Sequence, residues 1–153
     1  MRKILIALAA TAAFASPALA NEARVEARGG VIWSDGDTQD FWGMAAGYDF
    51  DLGEKAFAGL EVSGDKIGTS GTKVAFGVTG RLGAKVSEKG KLFVDGGYTT
   101  EPCDLCEDSL HLGAGYEQGF GNNLYGKVAY RHYFVGNGFS DSDAVTVGLG
   151  IKF

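Results

Sequence analysis

Eight stretches of the chain alternate apolar with polar or small residues: Arg24–Trp33, Asp40–Phe50, Lys55–Ser63, Lys73–Val86, Lys91–Thr99, Ser109–Phe120, Leu124–Phe134 and Asp143–Phe153. A period of two puts successive side chains on opposite faces of a strand. In the last stretch Val145, Val147, Leu149, Ile151 and Phe153 share one face, and Ala144, Thr146, Gly148, Gly150 and Lys152 share the other. The second, fourth and sixth repeat the pattern, with Trp42, Met44 and Tyr48 against Gly43, Ala45 and Gly47 in the second. The links between stretches are SDGDTQ, DLGE, GDKIGTSGT, SEKG, TEPCDLCED, GNN and VGNGFSDS, all rich in residues that accept turn geometry. No stretch has a 3.6-residue period, so the pattern predicts an all-β domain of eight antiparallel strands. Strands of about ten residues match a tilted membrane-crossing strand, whereas soluble strands are typically about five or six.

Alternation alone does not say which face points outward. A soluble barrel has its apolar face inside and a membrane barrel has it outside. Composition bears on the choice. The 153 residues include 25 Gly and 18 aromatics, an unusual pairing. Gly and Ala make up more than half of the less apolar face. A water-facing sheet would carry larger polar residues there, because Gly weakens a strand. The lumen of an eight-stranded barrel is only just wide enough for side chains, so Gly there makes room for a few large groups. Trp33, Trp42, Tyr48, Phe50, Tyr98, Tyr116, Phe120, Tyr130, Phe134 and Phe153 share the apolar face, mostly near strand ends, as in the aromatic girdles of membrane barrels. Both features predict a transmembrane barrel. A soluble periplasmic or secreted barrel that holds an apolar ligand is the other reading of the same alternation.

Residues 1–20, MRKILIALAATAAFASPALA, precede the first strand. Arg2 and Lys3, an apolar run and Ala18-Leu19-Ala20 compose a secretory signal peptide with a cleavage site before Asn21. The domain is then 21–153, with 12 basic and 19 acidic residues. No basic run supports nucleic-acid binding.

By parity, eight charged residues point into the middle of the barrel: Glu26, Arg28, Glu61, Arg81, Asp95, Glu117, Lys127 and Arg131. Four acids and four bases in a narrow space predict a salt-bridge network, with Arg131 paired to Glu61 or Glu117, because buried charges persist only when paired. Such a network would plug the lumen. A small solute channel gated by those pairs is the alternative. Cys103 and Cys106 form a CxxC in the third long link. In an oxidising compartment a local disulfide is expected. A zinc site would need two further ligands, and there is no second CxxC; neither a metal nor a cofactor is implied.

The signal peptide, the eight strands, segments such as VEARGGVIW and AFAGLEVSG, and the ending GLGIKF closed by Phe153 resemble the small outer-membrane β-barrel proteins, the opacity-protein, OmpX and OmpA-barrel group of the porin family. The resemblance implies an eight-stranded antiparallel up-and-down transmembrane β-barrel in the bacterial outer membrane. It also implies a C-terminal strand, ending at Phe153, that the barrel assembly machinery reads. Both termini would face the periplasm, with DLGE, SEKG and GNN as periplasmic turns and the longer links outside. Those links carry Asp35, Asp37, Asp40, Asp65, Asp104, Glu107, Asp108, Asp141 and Asp143, an acidic rim that could meet divalent cations bridging lipopolysaccharide. Outer-membrane lipids and lipopolysaccharide are the expected partners of a monomer with a structural or surface-interaction role. Some barrels of this kind are lipid A deacylases, in which a His is followed two residues later by a nucleophilic Ser. Here His132 is followed by Phe134, and Ser140 and Ser142 lie too far along the chain, so no catalytic residue is assigned.

Overall fold

The computed structural model describes residues 21–136 and 138–153, so the proposed signal peptide Met1–Ala20 lies outside the described residues. Eight strands, β1 (Glu22–Ser34), β2 (Asp37–Asp51), β3 (Ala56–Ile67), β4 (Val74–Lys85), β5 (Gly90–Thr99), β6 (Ser109–Phe120), β7 (Leu124–Val135) and β8 (Ser142–Lys152), follow the alternating stretches closely. Each pairs antiparallel with its neighbour in sequence, and β1 pairs with β8 to close the barrel. At the seam the amides of Ala23 and Phe153 donate to each other's carbonyls. Followed once around the barrel, the register advances by ten residues. With ordinary strand spacings this shear sets a tilt of about 40°.

Exposure resolves the direction that alternation left open. The apolar face points outward: Leu149 is 64% exposed and Phe76 63%, whereas Arg24 and Glu117 are each 1% exposed inside. The outward charged side chains in the strands, Asp40, Lys66, His132 and Asp143, cluster at the loop end. Between them and the turn end runs an uninterrupted apolar band that includes Trp42, Val62, Leu82, Val94, Leu112, Val128 and Val147. At its edges stand Phe50, Tyr98, Phe120, Phe134 and Phe153, all outward and exposed.

Two expectations need correction. The six-residue link SDGDTQ is largely strand: β1 and β2 run on to the pair Ser34↔Asp37 and are joined by Asp35-Gly36 alone. Both turn residues have positive φ, 49° and 89°, the geometry of a two-residue hairpin, and it matches the twist of the flanking strands. Strand β3 likewise continues through Gly64-Asp65-Lys66-Ile67, which turn chemistry had assigned to a loop. Pairing with Phe41–Met44 overrides that local preference and carries Asp65 from the rim into the barrel.

The interior is not purely charge and glycine. Phe41, Phe57, Phe93 and Tyr125 also point inward and are buried. Each faces a glycine across the sheet or lumen. A Cβ on Gly83 would lie 2.6 Å from the Phe57 ring, one on Gly150 would lie 2.6 Å from the Tyr125 ring, and one on Gly30 would lie 3.0 Å from the Phe41 ring. A Cβ on Gly115 would also collide with Phe93. Glycine therefore makes room for rings as well as for charges. Gly83→Ala is expected to destabilise the folded barrel by roughly 1–3 kcal/mol, since the Leu92 carbonyl is also in the way and backbone cannot move aside. Gly80→Ala, three residues earlier and outward-facing with its nearest neighbour at 3.8 Å, should change stability little. Urea midpoints of the two variants in micelles check the contrast.

Candidate functional site: the charged lumen and its outer mouth

The middle of the lumen holds six buried or part-buried cations, Arg24, Arg28, Arg81, Lys91, Lys127 and Arg131, and six anions, Glu26, Asp49, Glu61, Asp65, Asp95 and Glu117, and nearer the turn-end mouth Lys85 and Lys152 face Asp51 and Glu22. Each reaches the interior because its strand position has inward parity. Glu61 is the hub, accepting from Arg24 Nη1 at 2.8 Å, Arg28 Nη1 at 2.9 Å, Arg131 Nη2 at 3.1 Å and Lys127 Nζ at 3.2 Å. Strands β1, β3 and β7 thus converge on one carboxylate from different sides of the barrel. Lys127 also pairs with Glu26, whose Oε2 accepts from the Tyr125 hydroxyl at 2.9 Å.

Two further groups flank the hub. Toward the turn end, Arg81 donates in a fork to Asp49 and through Nη1 to Glu117 at 3.0 Å, while Lys91 reaches Asp49 at 3.1 Å and Glu22 at 2.6 Å. The Arg81 guanidinium lies 5.1 Å from the ring centres of both Phe57 and Phe93, so the inward rings cushion a cation. Toward the loop end, Arg131 Nη2 donates to Asp95 at 2.8 Å, and Arg28 forks onto Asp65 at 2.8 and 2.5 Å. Above these, His111 bridges Thr79 at 3.0 Å and Thr99 at 3.1 Å. The buried polar atoms without a hydrogen bond include Arg24 Nε and Glu117 Oε1. They still sit 3.7 Å from Asp49 and 3.9 Å from Lys91, close enough for charge compensation.

All eight charges expected from parity lie inside, and Arg131 meets Glu61. Glu117 does not meet Arg131; it lies nearer the turn end and pairs with Arg81. Arg24, Asp49 and Lys91 were missed because they stand outside the mid-barrel stretch, although their parity matches Glu26, Gly47 and Asp95. Asp65 was missed because it was assigned to a loop. His111, Thr79 and Thr99 lacked a sequence signal beyond parity.

Above the His111 level the lumen widens into a cup of about 440 Å³, open at the loop end. Ile32, Phe41, Ile67 and Tyr133 form part of its wall, and Pro102 and Cys106 of the β5–β6 loop lean over it. That loop carries the Cys103–Cys106 disulfide, with Cα atoms 5.0 Å apart. It is tied to the start of β4 by Lys73, whose amide donates to the Pro102 carbonyl at 2.8 Å and whose Nζ reaches Asp104 at 2.7 Å and Glu101 at 3.0 Å. The bond to Asp104 holds the Lys73 ammonium above its ordinary range and the Asp104 carboxyl below its own, so the pair stays ionised at neutral pH.

On the outer surface His132 Nδ1 lies 2.7 Å from Asp143 Oδ1 and Nε2 lies 3.5 Å from Asp141 Oδ2. With a carboxylate at each nitrogen the ring is placed to donate from both. The residue two positions on is Phe134, whose ring meets the imidazole edge-on at 4.6 Å, and Ser140 is bonded instead to Asp35.

No protein-family profile matches this sequence, and no curated protein matches it. Solved structures do. The outer-membrane enzyme PagL aligns with a TM-score of 0.64 at 13% identity, over 84% of this chain and 98% of that one. The N-terminal β-barrel domain of Pseudomonas aeruginosa OprF aligns with 0.63 at 15%, over 86% and 97%. Ail, the attachment invasion locus protein of Yersinia pestis, aligns with 0.57 at 13%, over 87% and 97%. These identities carry the fold and not the activity. The chain therefore has the closed eight-stranded, antiparallel, up-and-down architecture of the small transmembrane β-barrels of bacterial outer membranes.

Proposed function

We propose that this protein is exported by its N-terminal signal peptide and inserted in a bacterial outer membrane as a monomer. There it has a non-catalytic structural or surface role: envelope integrity, adhesion, or contact with lipopolysaccharide. One observation carries the reading. The exposed surface is a continuous apolar band, while six cations and six anions are matched against one another inside. Matched buried charges have no unsatisfied demand for a permeant ion, and their release costs several kcal/mol. The lumen is therefore read as a plug and not as a conduit. An open aqueous pore belongs to much wider barrels. The apolar band supports lipids as the solvent of the outer face, and the terminal alternating strand ending at Phe153 supports recognition by the barrel assembly machinery. A role in surface contact is in keeping with the word attachment in the name of the Yersinia pestis barrel.

Three measurements test this. Protein folded in micelles should migrate differently on SDS gels before and after boiling, and membranes of expressing cells should carry it in the outer-membrane fraction of a sucrose gradient. In planar bilayers the purified barrel should leave the current at baseline. Frequent, large and stable conductance steps would sink the plug and favour the small-channel alternative.

A further inference from the structure

The cup at the loop end is chemically one-sided. Four carboxylates line it, Asp35, Asp37, Asp65 and Glu107, and its lining contains no Lys, Arg or His. Asp65 is matched by Arg28 in the floor. Asp35, Asp37 and Glu107 make no ion pair among the described residues. The remaining lining is uncharged: apolar and aromatic side chains, with Phe41 and Tyr133 as ring surfaces, alternate with neutral polar ones such as Ser34, Gln39 and Thr99. A volume of about 440 Å³ lies in the range of small-molecule pockets, roughly 300–1,000 Å³. The acids do not converge on a point: among the described residues no group of three His, Cys, Asp or Glu is arranged to hold a metal ion. A negative field spread over an apolar, ring-lined cup matches a cation whose charge sits on a hydrophobic body, because ring faces and carboxylates both attract such a charge.

We propose that the outer cup is a binding site for a small organic cation, an ammonium group carried on an apolar or aromatic body. The floor of Arg28–Asp65 and the His111 bridge stops the ligand at the mouth, so binding does not depend on passage through the lumen. It stands apart from the plug: a silent barrel that binds and a conducting barrel that does not are both distinguishable results.

Isothermal titration calorimetry reads binding without a reporter side chain. In uncharged maltoside micelles, benzyltrimethylammonium should give a saturable heat of binding. Benzoate at the same concentrations should not, and benzyl alcohol should bind more weakly than the cation. Asp37→Asn with Glu107→Gln should weaken the cation at least about fivefold, since two nearby charges are lost. Neither residue holds an ion pair, so this variant should keep the heat-dependent gel shift of the parent. Ile67→Lys, which places an ammonium in the wall, should abolish binding. Equal responses to benzoate and the cation, a linear response without saturation, or unchanged affinity in the folded double variant would each overturn the site.

Discussion

Glu61→Gln is expected to cost the folded barrel about 3–5 kcal/mol, the range for breaking a buried charge pair by removing one partner. The substitution keeps shape and removes one charge. It acts on Arg24, Arg28, Lys127 and Arg131 at once, because all four lie within 3.2 Å of the Glu61 carboxylate. Glu61 is 2% exposed, so water cannot replace the lost charge. The lumen would change from six-against-six to an excess of one cation in a space with no slack. Arg28 and Arg131 retain Asp65 and Asp95, and Lys127 retains Glu26, which keeps the loss near this range and not at the sum of four pairs. The urea midpoint in micelles reads the effect. A shift of less than 1 kcal/mol would mean that the network is wetter or looser than its geometry indicates. The paired variant Glu61→Leu with Lys127→Met removes one charge of each sign and should recover part of the loss.

Val147→Arg should cost about 2–4 kcal/mol in lipid, the range for a cation at the mid-depth of a barrel's lipid face. Val147 sits at the centre of β8, opposite Val128 and Gly29, and its side chain is exposed. In a soluble protein an exposed Val→Arg change stays within about 0.5 kcal/mol. The same substitution therefore measures which solvent surrounds the apolar band. Unfolding of the wild type and the variant in phospholipid vesicles gives the number. A neutral result would defeat the assignment of the band to lipid and revive the soluble barrel. Lys152, at the terminus end of the same strand, faces inward instead and meets Glu22 at 3.0 Å.

Parity carried most of this architecture from the sequence. Eight strands and the inward set from Glu26 to Arg131 follow from a period of two, which is a local property. What parity cannot supply is level. Glu117 and Arg131 have the same parity, yet shear and tilt place Glu117 on β6 beside Arg81 on β4, two strands back, and not beside Arg131 on the adjoining β7. Level depends on the register of every strand pair together, and no short window of sequence contains it. Phe57 and Phe93 were similarly opaque. Their burial depends on Gly83 and Gly115, which are near only once β3–β4 and β5–β6 have paired. Asp65 went astray for the opposite reason. Its local neighbours read as a turn, and the override came from β2 and from a cation on β1, Arg28.

The inward rings and charges bear on how stability varies with temperature. In a water-soluble domain, unfolding exposes hydrocarbon to water and raises the heat capacity by roughly 12–15 cal/mol/K per residue, which bends the stability curve into a dome. Here few apolar side chains among the described residues point inward, chiefly Phe41, Phe57, Phe93 and Tyr125, and most large aliphatic side chains already lie on the outside. For a chain that unfolds while its apolar face stays in lipid, little hydrocarbon changes solvent, and what becomes exposed is chiefly carboxylate, guanidinium and backbone. Polar exposure lowers heat capacity. The stability curve of this barrel is accordingly shallow, without the cold-side decline that a hydrocarbon core imposes on soluble domains.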